Sequence, residues 1–504
     1  MAQDNAQKHP REQQNPPKGQ QNQPSEKENT LGITVKKGGD FVEWYNQVVL
    51  KAGLADYAPI RGFMIIKPHG YAMWEKIQEY FNKVLDRRFV SNAYFPLLIP
   101  KSFFEKEAEH AQGFAPELAW VDLGKGSEDE DKLAIRPTSE TIMYDSYAKW
   151  IRSWRDLPLR INQWCNVLRV EVKQTKLFLR TREFLWQEGH CVYATKEQCD
   201  KEVRIFLDEY KKMSQDLLAI PVIAGQKTES EKFAGALYTT TIEALMPDGR
   251  ALQMGTSHNL GQGFAKAFGI SYTDENKKAQ LPWQSSWGFS TRLIGAVVMV
   301  HGDDRGIVLP PRLAKNKAVI VPILFEKTKK EVLQKCRKVE KELEEFNVLV
   351  DDREQYSSGW KFADWELKGI PLRIELGPKD IEKGHVVVVR RDNGKKEFVK
   401  EKDVKKRIPE ILEQMHDEMY SKAKKFLDSN IVEVKNKDEF RKALNEKKMA
   451  LAYFCGEKDV EAKVKGEFGI TSRCSPFGQE DGKEGKCIFS GKAAKTKVLF
   501  SRAY

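Results

Sequence analysis

Arginines and carboxylates cluster in two neighbouring segments of the chain, Leu168–Glu171 and Arg180–Phe184. A guanidinium stays charged at ordinary pH and binds phosphate through paired hydrogen bonds, so this set suits a triphosphate. Alternation along a strand would place Arg169 and Glu171 on one face. Glu171 and Glu183 would then orient the arginines or accept from an adenine amino group. An antiparallel hairpin with cross-strand ion pairs explains the same pattern equally well.

A second segment, Gly288–Ala296, places hydroxyl residues directly before an arginine. Ser290 or Thr291 can cap a helix whose first turn carries Arg292. The N-terminus of a helix with a cationic side chain is a natural site for an anion. The alternative is a plain capped helix packed through its small residues.

A third segment, Arg136–Glu140, has a hydroxyl and a carboxylate two residues apart. Thr138 and Glu140 on a tight loop can hold an ammonium group. The alternative is an N-cap, in which Thr138 or Ser139 starts a helix that runs through Tyr147.

Hydrophobic periodicity predicts the elements that position these segments. Two strand-like runs, Ile161–Val172 and Leu177–Val192, flank a polar turn and predict a hairpin, and Ser290–Val300 is predicted to be helical. Earlier elements are predicted as helices at Phe41–Ala52 and Met73–Leu85 and as a β-rich run at Phe89–Leu98.

Beyond Pro310-Pro311 the pattern changes to alternating strands and helices, which predicts a small α/β domain with a partly parallel sheet. Its strands are predicted at Ala318–Leu324, Val348–Val350, Leu372–Leu376 and His385–Arg390, and its helices at Lys327–Phe346 and Trp360–Lys368. A further helix is predicted from about Ile411. A Gly- and Lys-rich segment follows, with Cys455, Cys474 and Cys487.

Composition excludes several classes of protein. The 504 residues are 40% hydrophobic and 31% charged, which is typical of a globular protein and too apolar for a wholly disordered one. No apolar run approaches the ~18 residues that a membrane helix needs, and residues 1–30 contain no secretory hydrophobic region. We therefore expect a cytoplasmic chain with reduced thiols, no membrane partner and a disordered polar tail over residues 1–30.

The formal net charge of +11 is unevenly distributed. Lys327–Tyr504 contains 41 basic and 33 acidic residues, so most of the excess lies in the C-terminal third. Such an excess fits either a polyanionic partner or a solvated Lys/Glu-rich surface.

Taken together and in this order, the segments resemble the motifs of a class II aminoacyl-tRNA synthetase. Arg88–Pro96 is similar to motif 1, the arginine segments to motif 2 and Gly288–Gly295 to motif 3. The Arg136–Glu140 loop, the run Trp186–His190 and the run Gln253–His258 are similar to those of the prolyl-tRNA synthetase family.

The resemblance implies a fold with three parts. An α+β catalytic domain, an antiparallel sheet flanked by helices, would occupy residues 31–312. An α/β anticodon-binding domain would follow over residues 313–408, and an α+β C-terminal extension over residues 409–504. The family activates proline with ATP, passes through prolyl-adenylate, and transfers proline to the 3′ end of tRNA(Pro). Motif 1 implies a homodimer, and the stretch Asp351–Lys361 becomes a candidate for anticodon contacts.

Residue roles carry over by position. The resemblance implies that Arg169 contacts the α-phosphate and the proline carboxylate, and that Arg180 and Arg292 hold the distal phosphates, with Mg²⁺ bridging phosphate oxygens. The remaining ATP-binding residues would be Glu171 at the adenine amino group, Phe184 stacked on the ring, and Thr181, Gln253, Thr256 and Ser290.

The resemblance also implies the proline pocket. Thr138 and Glu140 would receive the secondary ammonium. Trp186, Glu188, His190 and His258 would surround the ring, although His258 also fits a structural core histidine. The rival interpretations are a sister synthetase for threonine, serine or histidine, and a non-catalytic RNA-binding paralogue.

Two features indicate the archaeal and eukaryotic-like type. About one hundred residues separate Phe184 from Gly288, too few for an editing insertion, and the chain extends past the anticodon domain. In that type the extension often holds zinc through four cysteines. Here Val460 and Ser490 stand where two of them would be, so we predict that no zinc is bound.

Overall fold

The computed structural model describes residues 32–108, 117–122, 132–479 and 484–504. The predicted disordered tail, residues 1–30, lies outside these ranges. Within them, no helix is both long enough and apolar enough to span a bilayer.

The N-terminal part is built mainly from long antiparallel strands with helices packed on them. Its helices are Phe41–Lys51, Pro68–Arg87, Lys101–Ala108, Glu140–Trp150, Lys196–Asp216, Gly263–Phe268 and Arg292–His301, with a 3₁₀ turn at Trp154–Asp156. Its strands are Ala55–Tyr57, Met64–Ile66, Ser91–Asn92, Leu98–Pro100, Ala119–Val121, Leu133–Ile135, Leu159–Leu168, Glu183–Tyr193, Ile223–Gln226, Tyr238–Leu245, Arg250–Gly261, Tyr272–Thr273, Ala279–Gln280 and Trp283–Ser290.

The middle part has its own sheet and its own apolar core. Its strands, in spatial order, are Leu349–Val350, Ala318–Pro322, Leu372–Leu376, His385–Arg390 and Lys396–Lys400. The pairings among the first three strands are parallel, and the two pairings that follow are antiparallel. Its helices are Lys329–Glu342, Ser358–Lys368 and Pro378–Glu382, with 3₁₀ turns at Glu344–Phe346 and Glu401–Asp403. The predicted partly parallel α/β sheet is confirmed.

The C-terminal part begins with the long helix Val404–Ser429. Its other helices are Lys437–Asn445 and Lys458–Phe468, and its strands are Ile431–Glu433, Met449–Phe454, Thr471–Pro476, Gly485–Lys486, Ala493–Ala494 and Thr496–Ala503. The long helix starts earlier than the predicted Ile411. Val404 and Ile408 are buried in the core of the middle part, which holds the turn ahead of Pro409 in helical form.

One sheet connects the first and last parts of the chain. In the described residues it has eleven strands, and Thr471–Pro476 pairs antiparallel with Ile223–Gln226. The parallel bridge from Arg250 to Arg502 adds a second connection. The predicted antiparallel sheet flanked by helices is confirmed, and the C-terminal part extends that sheet.

The hairpin is shorter than predicted. Its strands are Leu159–Leu168 and Glu183–Tyr193, and the chain leaves the sheet between them. Leu177, Phe178 and Leu179 are each 2% exposed, because the connecting loop turns inward and buries all three side chains in the main core. Arg169 and Glu171 therefore lie on a loop and not on one face of a strand.

Candidate active site

The floor of the site is formed by registered antiparallel strands. Gly288 pairs with Glu188 on one side and with Thr256 on the other. In the next row Ser286 pairs with His190 and His258. Side chains alternate between the two faces of a sheet. The residues of these two rows are two positions apart along each strand, so all of them face the same cavity.

A cavity of about 350 Å³ lies on this face. It brings together most of the residues predicted from the sequence: Thr138, Glu140, Arg169, Glu171, Phe184, Trp186, Glu188, His190, Gln253, Thr256, His258, Ser290 and Arg292. Arg180 and Thr181 do not line it. Arg180 is exposed nearby, and the buried Thr181 donates its hydroxyl hydrogen to the Glu183 carbonyl at 2.6 Å.

At one end of the cavity, Glu188 is held by several donors. Gln163 Nε2 lies 3.1 Å from one carboxylate oxygen, and His190 Nε2 lies 3.0 Å from the other. The Ser139 hydroxyl and backbone N–H also donate to it. Glu188 is 2% exposed, so these bonds replace the water that the buried carboxylate has lost.

Glu140 opens the helix Glu140–Trp150 and is 3% exposed. Its carboxylate accepts from the Thr138 hydroxyl. The alternative of a plain N-cap is right about where the helix starts. It does not account for the hydroxyls, because Ser139 occupies the N-cap position without a side-chain cap bond, and the Thr138 and Ser139 hydroxyls both donate to carboxylates of the cavity.

Two carboxylates and one imidazole lie together at this end. Burial opposes the charged form of His190, but the hydrogen bond to Glu188 and the charges of Glu140 and Glu188 raise the His190 pKa. Burial likewise opposes ionisation of Glu188, yet its bonds to His190, Ser139 and Gln163 lower its pKa. Two carboxylates beside one imidazole suit a single bound cation.

The same three residues form the one group in the described ranges whose His, Cys, Asp or Glu atoms could hold a metal, with ligand atoms within 4.8 Å of one another. Nδ1 of His190 lies 3.1 Å from the Tyr144 hydroxyl, and Nε2 bonds Glu188. Both ring nitrogens are thus engaged, so neither is available to bind a metal ion. The group fits an ammonium better than a metal ion.

His258 is held differently. Its Nδ1 lies 2.9 Å from the Thr239 hydroxyl, and its ring packs 4.9 Å from that of Phe233. Burial, with repulsion from Lys227 and His190, lowers its pKa to about 3. His258 is therefore a neutral wall of the cavity.

Arginines dominate the other end. The Arg169 guanidinium lies 5.3 Å from the centre of the Phe184 ring and 5.6 Å from that of Trp186, and Nε donates to the Pro137 carbonyl at 3.3 Å. Burial lowers the pKa of Arg169. These contacts hold Arg169 above the sheet, between the acidic end and the remaining cations.

Arg292 begins the helix Arg292–His301, and its guanidinium donates to the backbone carbonyls of Leu179 at 3.2 Å and Gln253 at 3.5 Å. Ser290 Oγ accepts from its backbone N–H at 3.2 Å, whereas the Thr291 hydroxyl makes no cap bond. Burial, followed by repulsion from other arginines including Arg169, lowers the Arg292 pKa to about 10. An anion at this end would relieve that repulsion.

The alternative of a salt-bridged hairpin does not hold. Within the described residues, no ion pair joins Arg169, Arg180 or Arg182 to Glu171 or Glu183. Arg182 instead donates to backbone carbonyls. In the part of the chain that the structure describes, Arg169 and Arg292 form no ion pair with a carboxylate, although the charges of Glu171, Glu140 and Glu188 act on Arg169.

Some cavity residues were not identified from the sequence: Lys227, Glu231, Phe233, Thr239 and Ser286. No local pattern marks Lys227, a single lysine directly after the strand Ile223–Gln226. It is 9% exposed, and its ammonium lies 3.4 Å from the buried Glu243, which is far from it in the pattern of the sequence.

Comparisons with known proteins agree with this geometry. Residues 120–301 match the family model "tRNA synthetase class II core domain (G, H, P, S and T)", residues 317–411 match "Anticodon binding domain", and residues 437–504 match "Prolyl-tRNA synthetase, C-terminal".

Curated relatives cover nearly the whole chain. Proline–tRNA ligase 2 of Clostridioides difficile is 49% identical over 95% of this chain and 99% of its own length. Proline–tRNA ligase of Rubrobacter xylanophilus is 50% identical over 93% and 98%, and the enzyme named as cytoplasmic in Arabidopsis thaliana is 46% identical over 95% and 92%. The chain belongs to the proline–tRNA ligase family of class II aminoacyl-tRNA synthetases.

Proposed function

We propose that this chain activates proline with ATP and transfers it to tRNA(Pro). The observation that carries the proposal is the division of one cavity into an end with two buried carboxylates, those of Glu140 and Glu188, and an end with arginines bonded only to backbone carbonyls. A zwitterionic amino acid and a triphosphate need this arrangement if they are to react within one site.

The acidic end would receive proline. Glu140, with Thr138 beside it, would accept from the secondary ammonium. Glu188 and His190 would complete the polar wall, and Trp186 and His258 would close around the ring. Keeping His258 neutral avoids a second cation beside the ammonium.

The arginine end would receive ATP, and Arg169 would link the two substrates. It would hold the proline carboxylate and the α-phosphate together, so that a carboxylate oxygen attacks the phosphorus and pyrophosphate leaves. Negative charge grows on the phosphate oxygens in that step, and fixed guanidinium groups stabilise it without covalent chemistry by the protein. Arg180 and Arg292 would hold the distal phosphates.

Phe184 would stack on adenine and Glu171 would accept from its amino group, with Thr181, Gln253, Thr256 and Ser290 around the nucleotide. Mg²⁺ would supply further charge neutralisation on the phosphates. Glu243, the buried carboxylate beside this end, is already paired with cations. We therefore assign the ion mainly to the phosphate oxygens of ATP.

The rival interpretations fit less well. A non-catalytic RNA-binding paralogue has no need of Arg169 and Arg292 in a closed cavity. A sister synthetase for threonine, serine or histidine is disfavoured by the relatives, which are proline–tRNA ligases across bacteria and a plant.

The stretch Asp351–Lys361 is our candidate for contact with the anticodon. The rings of Tyr356 and Trp360 stack 3.8 Å apart, and the Arg353 guanidinium lies 5.1 Å and 5.3 Å from their centres. Arg353 is oriented by a paired bond to Asp351, both distances 2.8 Å. Partly exposed stacked rings beside a fixed guanidinium suit unstacked bases, and the basic C-terminal third would add salt-sensitive affinity.

A homodimer in the cytoplasm completes the proposal. Within the motif 1 stretch, Phe89 is 84% exposed and Tyr94 is 71% exposed. Phe89 also has a backbone φ of 55°, a conformation that holds an aromatic side chain outward at a steric cost. Large exposed aromatics of this kind favour a protein interface.

The first test is ATP–pyrophosphate exchange with each of the twenty amino acids. We expect proline to stimulate exchange most strongly, because the acidic end fits one small ring with one ammonium. Exchange driven by a different amino acid and none by proline would contradict the assignment.

The variant Arg169→Ala is expected to lose at least about a hundredfold in exchange rate, because it removes the charge shared by both substrates. Its circular dichroism and melting temperature should stay close to those of the parent. Arg152→Ala, which changes an exposed arginine outside the cavity, is the matched control. Normal exchange by Arg169→Ala would remove this residue from the mechanism.

The dimer is tested by light scattering. The parent should have the mass of two 58.0 kDa chains, and Phe89→Asp should shift towards one, because a carboxylate cannot be buried at an apolar interface. Phe398→Asp, at a phenylalanine 68% exposed on the middle sheet, should leave the mass unchanged. A monomeric parent would refute the proposal.

The residues of the extension do not fit a structural zinc ion. The nearest partner of Cys455 Sγ is the Ser490 hydroxyl, at 3.6 Å. Cys487 is buried in the same apolar cluster as Cys455, whereas Cys474 packs in another cluster with Leu499. Two thiols beside a hydroxyl leave the tetrahedral set incomplete.

We therefore expect well under one zinc per chain by elemental analysis after chelator washing. The double variant Val460→Cys and Ser490→Cys restores a set of four thiols and is expected to take up about one zinc per chain. Stoichiometric zinc in the parent would overturn this prediction.

A further inference from the structure

An arginine of the C-terminal part reaches a buried carboxylate of the catalytic sheet. Arg473, on the strand Thr471–Pro476, places Nη2 2.7 Å and Nε 3.1 Å from Glu243 Oε2. The Glu243 side chain is fully buried and that of Arg473 is 7% exposed. This ion pair joins residues 230 positions apart in the sequence.

Glu243 has a second cationic partner, which faces the cavity. Lys227 Nζ lies 3.4 Å from Glu243 Oε1, and the Thr241 hydroxyl donates to the same oxygen at 3.0 Å. Lys227 lines the cavity, whereas Glu243 and Arg473 do not. One carboxylate therefore serves two cations, and the group keeps a net charge of plus one.

The charge of Arg473 acts on Glu243 and on Arg292, a residue that lines the cavity. Burial opposes ionisation of Glu243, yet Arg473 and then Lys227 hold its pKa below the ordinary value. Arg473 is also among the cations that lower the pKa of Arg292. Because Arg473 satisfies the carboxylate closely, the weaker contact at 3.4 Å leaves Lys227 free to interact with an anion.

We propose that Arg473 is a positioning residue for the ATP end of the site. By taking up the charge of Glu243, it leaves the Lys227 ammonium available to the phosphates. The inference rests on the proposed placement of ATP. It assigns the extension a part in substrate binding in addition to its part in the sheet.

The roles of Lys227, Glu243 and Arg473 can be tested with a series of variants that differ in the net charge of the three residues. Arg473→Met lowers its net charge to zero, and Lys227 should then pair fully with Glu243. Glu243→Gln together with Arg473→Met returns the net charge to plus one and frees Lys227. Lys227→Met also lowers the charge to zero. Adding Arg473→Met to Lys227→Met removes a cation whose partner in the cavity is already gone.

The measurements are the KM values for ATP and for proline in exchange, and the Kd for ATP by calorimetry. We expect Arg473→Met and Lys227→Met each to raise the ATP values about tenfold and to leave the proline KM within about twofold. The variant with Glu243→Gln and Arg473→Met should recover most of the ATP loss. Lys227→Met with Arg473→Met leaves Glu243 without a cation and should raise the ATP values more than either single variant, because the unpaired carboxylate repels the phosphates.

A purely structural role predicts something else. Stability, both KM values and kcat would then worsen together in Arg473→Met, and the second change to Glu243 would restore stability without restoring the ATP values. That outcome, or unchanged ATP values in Arg473→Met, would overturn the inference. If Arg473→Met does not fold, two other variants decide. Arg473→Lys and the double variant Glu243→Gln with Arg473→Met both keep the net charge at plus one, and both should bind ATP normally.

Arg441→Met is the matched control, since this arginine of the extension is exposed and pairs with Glu467 at 3.4 Å. The proposed function and this inference fail separately. No exchange with proline by the parent rejects the function. The calorimetric Kd for ATP, compared between parent and variants, still decides the role of Arg473.

Discussion

The site depends first on the register of the strand Trp283–Ser290 between its two neighbours. Trp287 fixes that register, because its indole stacks 3.8 Å from Phe206 and lies against Gly189, where any β-carbon would collide with the ring. A slip by one residue would exchange the two faces of the strand. Glu188 and His190 would then lose Ser286 and Gly288 as their neighbours, and the cavity would lose its floor.

Charge is distributed on this frame with little redundancy. At the acidic end, two buried carboxylates and one imidazole form a site suited to one ammonium. At the other end, Arg169 and Arg292 have backbone carbonyls and aromatic rings as partners, so their charge remains available to an anion. In the proposed mechanism, substrate charge completes both ends, and binding energy goes into bringing a carboxylate and a phosphate together.

The C-terminal part belongs to the same electrostatic unit. It supplies strands to the catalytic sheet and, through Arg473, a cation to the buried carboxylate next to the cavity. A long-range ion pair of this kind makes the integrity of the extension and the charge of the nucleotide end interdependent. The ion pair also explains how Glu243 can be buried at a position where an unpaired carboxylate would repel phosphate.

The sequence by itself indicated the class of fold, the order of its parts and most residues of the cavity, because those residues lie in short motifs that resemble, in type and order, those of a known family. It was less informative where the chain departs from a local rule. The loop Leu177–Leu179 looked like strand because an apolar run has the same composition whether it lies in a sheet or folds into a core. The helix start at Val404 was obscured by Pro409, whose effect on the turn before it depends on packing.

Only the tertiary structure decided which hydroxyls cap a helix and which bind carboxylates, since Thr138 and Ser139 are equally suited to either in sequence. It alone brought Lys227, Glu243 and Arg473 together. The physical reason is that a buried ion pair is selected by three-dimensional proximity in a low-dielectric interior, and no pattern of neighbouring residues along the chain encodes which distant strand will supply the partner.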